Sequence, residues 1–475
     1  MRPSLRRYLV STAAARPRRE AAVLEEAGLA AAAPERREPP PELSWHDYAV
    51  FLLHVASEVE HALMVQYLYA AYSLGGTTVA GDQHEKARQW REVILGIAKE
   101  EMGHLITVQN ILRLIGGPLH LEREDYPFRS EFYPFHFVLE PATKASLAKY
   151  VIAEAPEDWL ETPAAAEIKE RARRADDGRE ILPVGVLYRE LIAVFEDEEV
   201  LTAADFRTDT APYQASWDEW ARGYGAGERG NIGREFPPKT PDVRVLPAID
   251  RASTVKALIN IAQQGEAPVG ANDELSHFSR FLRIYEAFPE ENPPSRNIPT
   301  NPTAEPAPED EIPTYGPLGC ARITNARSQL WANLFNLRYR KLLFTLKHAF
   351  HVEEGDPVDR PTARGNLIAW TFGEMYNLRS IASILVSLPL DKDGGDARAG
   401  PPFQAPYTLA LPDWDSDKWR VHRDLINGAA KLIGQLDVAG ETHRTYLRAL
   451  KDHDELAMQI VERLLNAQER LEAIQ

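Results

Sequence analysis

One spacing occurs twice in this 475-residue chain, Glu101 with His104 and Glu274 with His277. A carboxylate and an imidazole three residues apart on a helix share one face, close enough to reach a single cation. Glu101 and His104 interrupt the apolar stripe Ile94, Ile97, Ala98, Leu105, Val108, Leu112 and Ile115, and a similar stripe (Phe278, Phe281, Ile284, Tyr285) follows His277. Glu60 lies on an apolar face that includes Leu53, Leu63, Tyr67 and Ala71. Carboxylates buried in such seams are costly unless something compensates them. One glutamate from each of two helices, joined to a Glu-x-x-His from each of two others, is the donor set with which helical bundles hold two iron or manganese ions. Glu60 supplies the first lone glutamate, and Glu266 of QQGEA is chosen for the second, with Glu190 of VLYRELI in reserve. The expected metal and catalytic set is therefore Glu60, Glu101, His104, Glu266, Glu274 and His277. Glu60 and Glu266 would be terminal ligands and Glu101 and Glu274 bridging ones, with one histidine per metal. Oxygen and imidazole donors without thiolate favour iron, or manganese in its place, over structural zinc.

Four helices must carry these groups. Helical periodicity runs from Trp45 to about Leu74 and stops at Gly75-Gly76; it returns from Gln89 to Gly117, ending in a glycine pair and Pro118. The short connection makes these two antiparallel neighbours. Helix three is STVKALINIAQQGEA and helix four NDELSHFSRFLRIYEAF, opened by an Asn272 or Asp273 cap. The intervening Leu119–Asp250 reads as less regular, with an extended piece at FHFVLEP and a helix around VGVLYRELIAVFEDE, and no chemistry is assigned to it. A proline-dense stretch follows, then helical patterns near Thr324–His351, Arg364–Leu388, Ser416–Leu436 and Glu441–Ile474. The expected fold is all-α: an N-terminal extension over 1–43, a ferritin-like four-helix bundle with a long insertion over 44–288, a linker over 289–319 and a second helical bundle over 320–475.

A net charge of −17 opposes non-specific attraction to nucleic acid or anionic lipid. A single cysteine, Cys320, allows no intrachain disulfide and fits a reducing compartment. The N-terminus has no apolar run of signal-peptide length and no 18-residue apolar stretch is read elsewhere, so the expected location is cytoplasmic, without membrane.

Other polar residues have plainer readings. Glu100 points about 100° away from Glu101 and is taken as supporting or solvated. His54, Glu58 and His61 form a polar edge of helix one, read as surface, and Tyr67 and Tyr285 are read as core. Glu374, His348 and His351 form no comparable double motif, leaving the C-terminal bundle a packing, substrate-enclosing or partner-binding role.

The segments EVEHALMVQYLYAAYSL, IAKEEMGHLITVQNILRLIGG, QQGEA and DELSHFSRFLRIYEAF resemble the ferritin-like family that includes iminophenyl-pyruvate dimer synthase of violacein biosynthesis. The resemblance covers about Trp45 to Phe288 and places the family's metal positions on the same six residues; this chain reads QGEA where many relatives read QGEG. It implies a non-haem di-iron oxidoreductase with two irons per chain, using oxygen or peroxide on a small, amino-acid-derived molecule of natural-product biosynthesis. Oxidative coupling of aromatic imino acids is its sharper form, and a homo-oligomer is compatible with it. Two other classes stand beside this reading: an iron-storage or ferroxidase protein with the same ligands, and a metal-free interaction protein that keeps only the scaffold.

Overall fold

The computed structural model describes residues 38–76, 79, 81–215, 245–266, 276–304, 319–353, 362–438 and 441–474. Helix α1 (Trp45–Ser73) opens where the Ser44 hydroxyl accepts the Asp47 amide at 3.1 Å, satisfying a donor that the first turn leaves unpaired. It ends before Gly75 and Gly76, whose φ angles of 88° and 120° suit glycine. Helix α2 (His84–Leu114) starts several residues before the expected Gln89 and packs along α1. Contrary to the expectation that no stretch is long and apolar enough, α1 could cross a membrane by length and composition, yet 83% of its most apolar window is buried within the protein.

The region expected to be less regular supplies three helices that were not expected, α3 (Lys144–Ala153), α4 (Glu157–Leu160) and α5 (Pro163–Ala175), and the expected one around VLYRELI, α6 (Gly185–Glu196). A reciprocal bond between Thr143 and Ser146 caps α3. Helix α7 (Arg251–Glu266) follows residues outside the description, which include the Trp- and Gly-rich stretch from Ser216. Helix α8 (His277–Ala287) opens on a Ser276 cap, so the expected caps Asn272 and Asp273 lie outside the described residues. The α6 helix packs on α7 and α1, and α3 packs on α8 and α5. The α1–α2 pair is thus flanked by α6 with α7 and by α3 with α8. FHFVLEP contributes only an isolated antiparallel bridge between Phe128 and Phe137.

Within the proline-dense stretch the described residues hold no helix, as expected, yet they are stitched onto the first bundle. The Arg296 amide bonds the Ser73 carbonyl at 2.7 Å, and Asn301 exchanges bonds of 2.8 and 2.9 Å with Leu139. A two-residue strand β1 (Pro302–Thr303) then pairs in parallel with β2 (Ala321–Arg322). Helices α9 (Ala326–Ala349), α10 (Ala363–Leu385), α11 (Asp415–Leu436) and α12 (Arg444–Glu472) form the second bundle, with α9 against α10 and α11, and α11 against α12.

A buried ionic knot lies inside that second bundle. Arg338 reaches Glu374 at 3.0 Å and Asp454 at 2.8 Å, and Lys341 reaches the same two carboxylates at 2.8 and 3.3 Å. Burial raises the Glu374 pKa, but the Arg338 and Lys341 charges outweigh it and hold the carboxyl at about 2. His348 pairs with His422 at 3.0 Å, apart from this knot. Removing one member of such a network leaves a buried charge undercompensated. Glu374→Ala should therefore cost about 3 kcal/mol in urea unfolding. Because the folded-state pKa is depressed, this stabilisation is complete above the ordinary value of 4.5 and is lost as pH falls towards about 2. The wild type should lose stability across that window faster than the variant.

Candidate metal centre

The site is assembled from two helix interiors and two helix ends. Glu60 comes from the middle of α1, Glu101 and His104 from the middle of α2, Glu154 from the residue capping the C-terminus of α3, and His277 from the first position of α8. All five are buried. They fall into two triads, Glu60–Glu101–His104 and Glu101–Glu154–His277, and within each the donor atoms lie within 4.8 Å of one another. Glu101 belongs to both. Its Oε2 is 2.9 Å from Nδ1 of His104, and its Oε1 is 3.0 Å from Nδ1 of His277. Glu60 Oε2 is 3.3 Å from the first imidazole and Glu154 Oε2 3.6 Å from the second.

Both imidazoles turn the same nitrogen inward, and their other nitrogens explain why. Nε2 of His277 donates to Glu100 at 2.9 Å, and Glu100 is held by both terminal nitrogens of Arg280. Nε2 of His104 donates to the Gln264 side-chain oxygen at 2.9 Å. A ring whose far N–H is committed to an acceptor presents its near nitrogen as a lone-pair donor, the arrangement that orients histidine ligands in metal proteins. Glu100 is thus buried and supporting, one of the two readings open to it in the sequence.

Two tyrosines complete the surround. Tyr188 of α6 donates to Glu60, and Tyr67 of α1 donates to Glu154 at 2.6 Å. Burial and the adjacent carboxylates push both phenols well above their ordinary pKa, so they remain donors. Tyr67 therefore touches the site as well as the core. Tyr285 does not: it sits under the Lys144 ammonium, 4.9 Å from its ring centre. Glu190, the reserve ligand, is also elsewhere. Two residues from Tyr188 puts it on the opposite side of α6, where it accepts from Tyr48.

Charge balance makes the cluster hungry for cations. Burial and the Glu101 charge drive Glu60 up to about 8 and raise Glu154 as well. Burial lowers the imidazoles, but the surrounding carboxylates more than reverse this, taking His104 to about 10 and His277 well above its usual value. Burial likewise raises Glu101, yet the two imidazoles pull it well below the ordinary carboxylate range. The cluster thus holds protons at positions a divalent cation would take, and metal binding releases them. Oε1 of Glu101 and Nδ1 of His277 face each other with no hydrogen bond of good geometry. Orphaned atoms of this kind, in a donor set of carboxylate and imidazole alone, fit a pair of first-row metal ions that Glu101 would share. The space beside these groups is about 20 Å³, with Leu63, Val184 and Ile261 among its lining residues. Gly265 brings the α7 backbone close, since a Cβ there would lie 3.2 Å from Glu154 Oε2.

Four of the six expected ligands thus converge: Glu60, Glu101, His104 and His277. Glu274 lies outside the described residues. The backbone of Glu266 ends α7, while its side chain lies outside the description. The residue missed was Glu154, in the region to which no chemistry was assigned. Its signal was the run Leu147, Tyr150, Val151, an apolar stripe that a carboxylate interrupts at the next turn, just as at Glu101.

A bundle of long helices with two carboxylate–imidazole triads sharing one glutamate is the architecture of the four-helix dinuclear proteins. This part of the chain belongs to the Ferritin-like family, whose model matches residues 53–286. Dichlorochromopyrrolate synthase of Lentzea aerocolonigenes is 24% identical over 73% of this chain and 35% of its own length. The 2-imino-3-(indol-3-yl)propanoate dimerase of Chromobacterium violaceum is 24% identical over 74% of this chain and 33% of its own length. The chain spans about a third of the length of these curated relatives. A crystal structure of a ferritin like protein from Caulobacter vibrioides aligns with a TM-score of 0.41 at 16% identity, covering 70% of this chain and 95% of that one.

The shared carboxylate has a distinctive consequence in a titration with a divalent transition metal followed by elemental analysis. Glu101→Ala should lose both ions, whereas Glu154→Ala should lose one and retain the ion held by Glu60 and His104. Glu100→Ala should keep the stoichiometry but weaken affinity about 10- to 100-fold, the usual cost of releasing a histidine ligand's outer partner.

Proposed function

We propose that the protein is a non-haem di-iron oxidoreductase of natural-product biosynthesis, acting on a small, amino-acid-derived molecule. One observation carries the reading: two buried triads meet at Glu101, each of whose oxygens faces a different imidazole. The donor set suits iron or manganese, and such a pair supplies the electron transfer to oxygen or peroxide that lets an organic substrate be oxidised.

The chain's own groups have separable tasks around that chemistry. Glu101 would be shared by the two metals, with Glu60 and His104 holding one and Glu154 and His277 the other. Glu100, fixed by Arg280, keeps the His277 ring in register. The Tyr188 and Tyr67 hydroxyls bond the outer oxygens of Glu60 and Glu154, which leaves Oε2 of each carboxylate turned inward. Leu63, Val184 and Ile261 give the space beside the cluster an apolar lining.

The substrate class is supported by the relatives: one is named for a synthase, and the other for dimerising an aryl 2-iminopropanoate. Coupling of two aromatic 2-imino acids is accordingly the sharper form of the proposal. Those same names argue for an enzyme and against iron storage. The test loads the protein with ferrous iron under anaerobic conditions, adds an aromatic 2-imino acid generated in situ by an amino-acid oxidase, admits oxygen or peroxide, and follows coupled product by mass spectrometry. Iron-dependent turnover that disappears in Glu101→Ala is expected. Equal turnover by metal-stripped protein, or a large hollow oligomer that accumulates many irons per chain without turnover, would reject the reading.

A further inference from the structure

The small space beside the metal centre has a direction. Of the described residues that line it, all are buried except Val184 and Ala262, which are half-buried. Both are apolar and both belong to one seam: Val184 stands immediately before α6, and Ala262 lies in the last turns of α7, the helix on which α6 packs. On the inner side the lining is Leu63 of α1 with the carboxylates and imidazoles themselves, all of them buried.

The seam meets the cluster beside one triad. The Val184 amide donates to the Ala153 carbonyl at 2.9 Å, which sets the start of α6 against the end of α3, where Glu154 stands. From the opposite side Gly265 brings α7 to the same carboxylate, its missing Cβ 3.2 Å from Glu154 Oε2. Ala262 is three residues before Gly265 and shares its face of α7. The first residue of α6 is also a glycine, Gly185, so the two helices meet along this line with little side chain between them. The other triad has more cover on this side, because Tyr188 bonds Glu60 and Gln264 bonds the outer nitrogen of His104.

We propose that the seam between α6 and α7 is the route by which small reactants reach the metal pair, that it delivers them on the Glu154–His277 side, and that Ala262 and Val184 set its width. The proposal rests on the di-iron reading of the site. A space of about 20 Å³ is on the scale of a single water, far from the pockets of roughly 300 Å³ and more that hold organic ligands, so the passage suits oxygen or peroxide. Its two half-buried walls are hydrocarbon and offer water no hydrogen bond, which leaves the passage open to an apolar gas. Ala262 and Val184 are thus specificity-determining residues that touch neither metal ligand nor charge in their own right; they act by how much of the seam they fill.

The probe is azide, a small ligand of transition metals, mixed with the full-length protein loaded with cobalt(II), and the reading is the rate at which the cobalt absorption changes in stopped flow. Ala262→Phe, which sets a ring across the seam, should slow azide binding at least tenfold while cobalt stoichiometry and circular dichroism stay unchanged. Val184→Ala, which widens the seam, should speed it at least threefold. Opposite shifts from two substitutions on facing elements are what a passage produces and a general loosening does not. Should Ala262→Phe fail to fold, Ala262→Val takes its place with a smaller slowing in the same direction. Azide rates equal to wild type in both variants, rates displaced in the same direction, or no azide binding by the cobalt-loaded wild type would each overturn the proposal. Seam-dependent azide binding without turnover in the iron assay would leave the route standing while the oxidoreductase reading falls; turnover with azide rates indifferent to both substitutions would do the opposite. A wild type that takes up no cobalt or iron would remove both.

Discussion

The structure turns on a carboxylate placed where water cannot solvate it. Glu101 is buried between two imidazoles, and each of its oxygens faces one of them. Isolated, such a charge would be among the most expensive groups in the protein. Surrounded as it is, it fixes where Glu60, Glu154, His104 and His277 must go. Each outer group answers for one inner group: Tyr188 for Glu60, Tyr67 for Glu154, Gln264 for His104, and Glu100 with Arg280 for His277. A partly satisfied network in this position would be worse than an apolar core, so the length of the shell follows from the burial of its centre.

The two triads are supported differently, and the difference lies in their helices. Glu60, Glu101 and His104 stand in the middle of helices of 29 and 31 residues, where the backbone is bonded in both directions. Glu154 and His277 stand at the end of one helix and the start of another, where position depends on how the chain enters or leaves. Ser276 fixes the entry to α8 by accepting the Ser279 amide, and Gly265 lets the end of α7 close against Glu154. The triad made from helix interiors is a rigid half, and the other half takes its shape from caps and a glycine.

That distinction also decides what could be read in the sequence. Glu60, Glu101 and His104 were legible because a charge within a periodic apolar stripe is conspicuous, and the periodicity itself gave α1, α2 and the four helices of the second bundle. His277 was found through its spacing from Glu274, although the helix it opens begins at His277 itself. Glu154 went unread because α3 is only 10 residues long and its carboxylate follows the last of them, where a glutamate ordinarily reads as a solvated helix end. Glu190 was attractive because it lies in a helical pattern, but only rotation about α6 separates it from Tyr188, and the sequence does not say which side of that helix meets α1. His61 and Glu58 were misread for a longer-range reason. The partner that buries His61 is Tyr339, 278 positions along the chain, and no local pattern on α1 carries that information.

The same contact explains what the second bundle does for the first. On α9, Arg338 and Lys341 are three apart and share a face, committed to Glu374 and Asp454. Tyr339, about 100° around, is left to face α1. The ionic knot and the apolar residues of α9 buried beside it, Trp331, Phe335 and Leu343 among them, set which side of the helix turns towards His61. Lys347, two turns further along, bonds Glu122 at 3.0 Å, and Arg123 reaches the Phe403 carbonyl, so the loop after α2 is clamped from the same side. That loop continues directly from the helix that carries Glu101 and His104. The helices that carry Glu60, Glu101 and His104 are thus tied, through His61 with Tyr339 and Glu122 with Lys347, to the helix that holds the polar core of the second bundle.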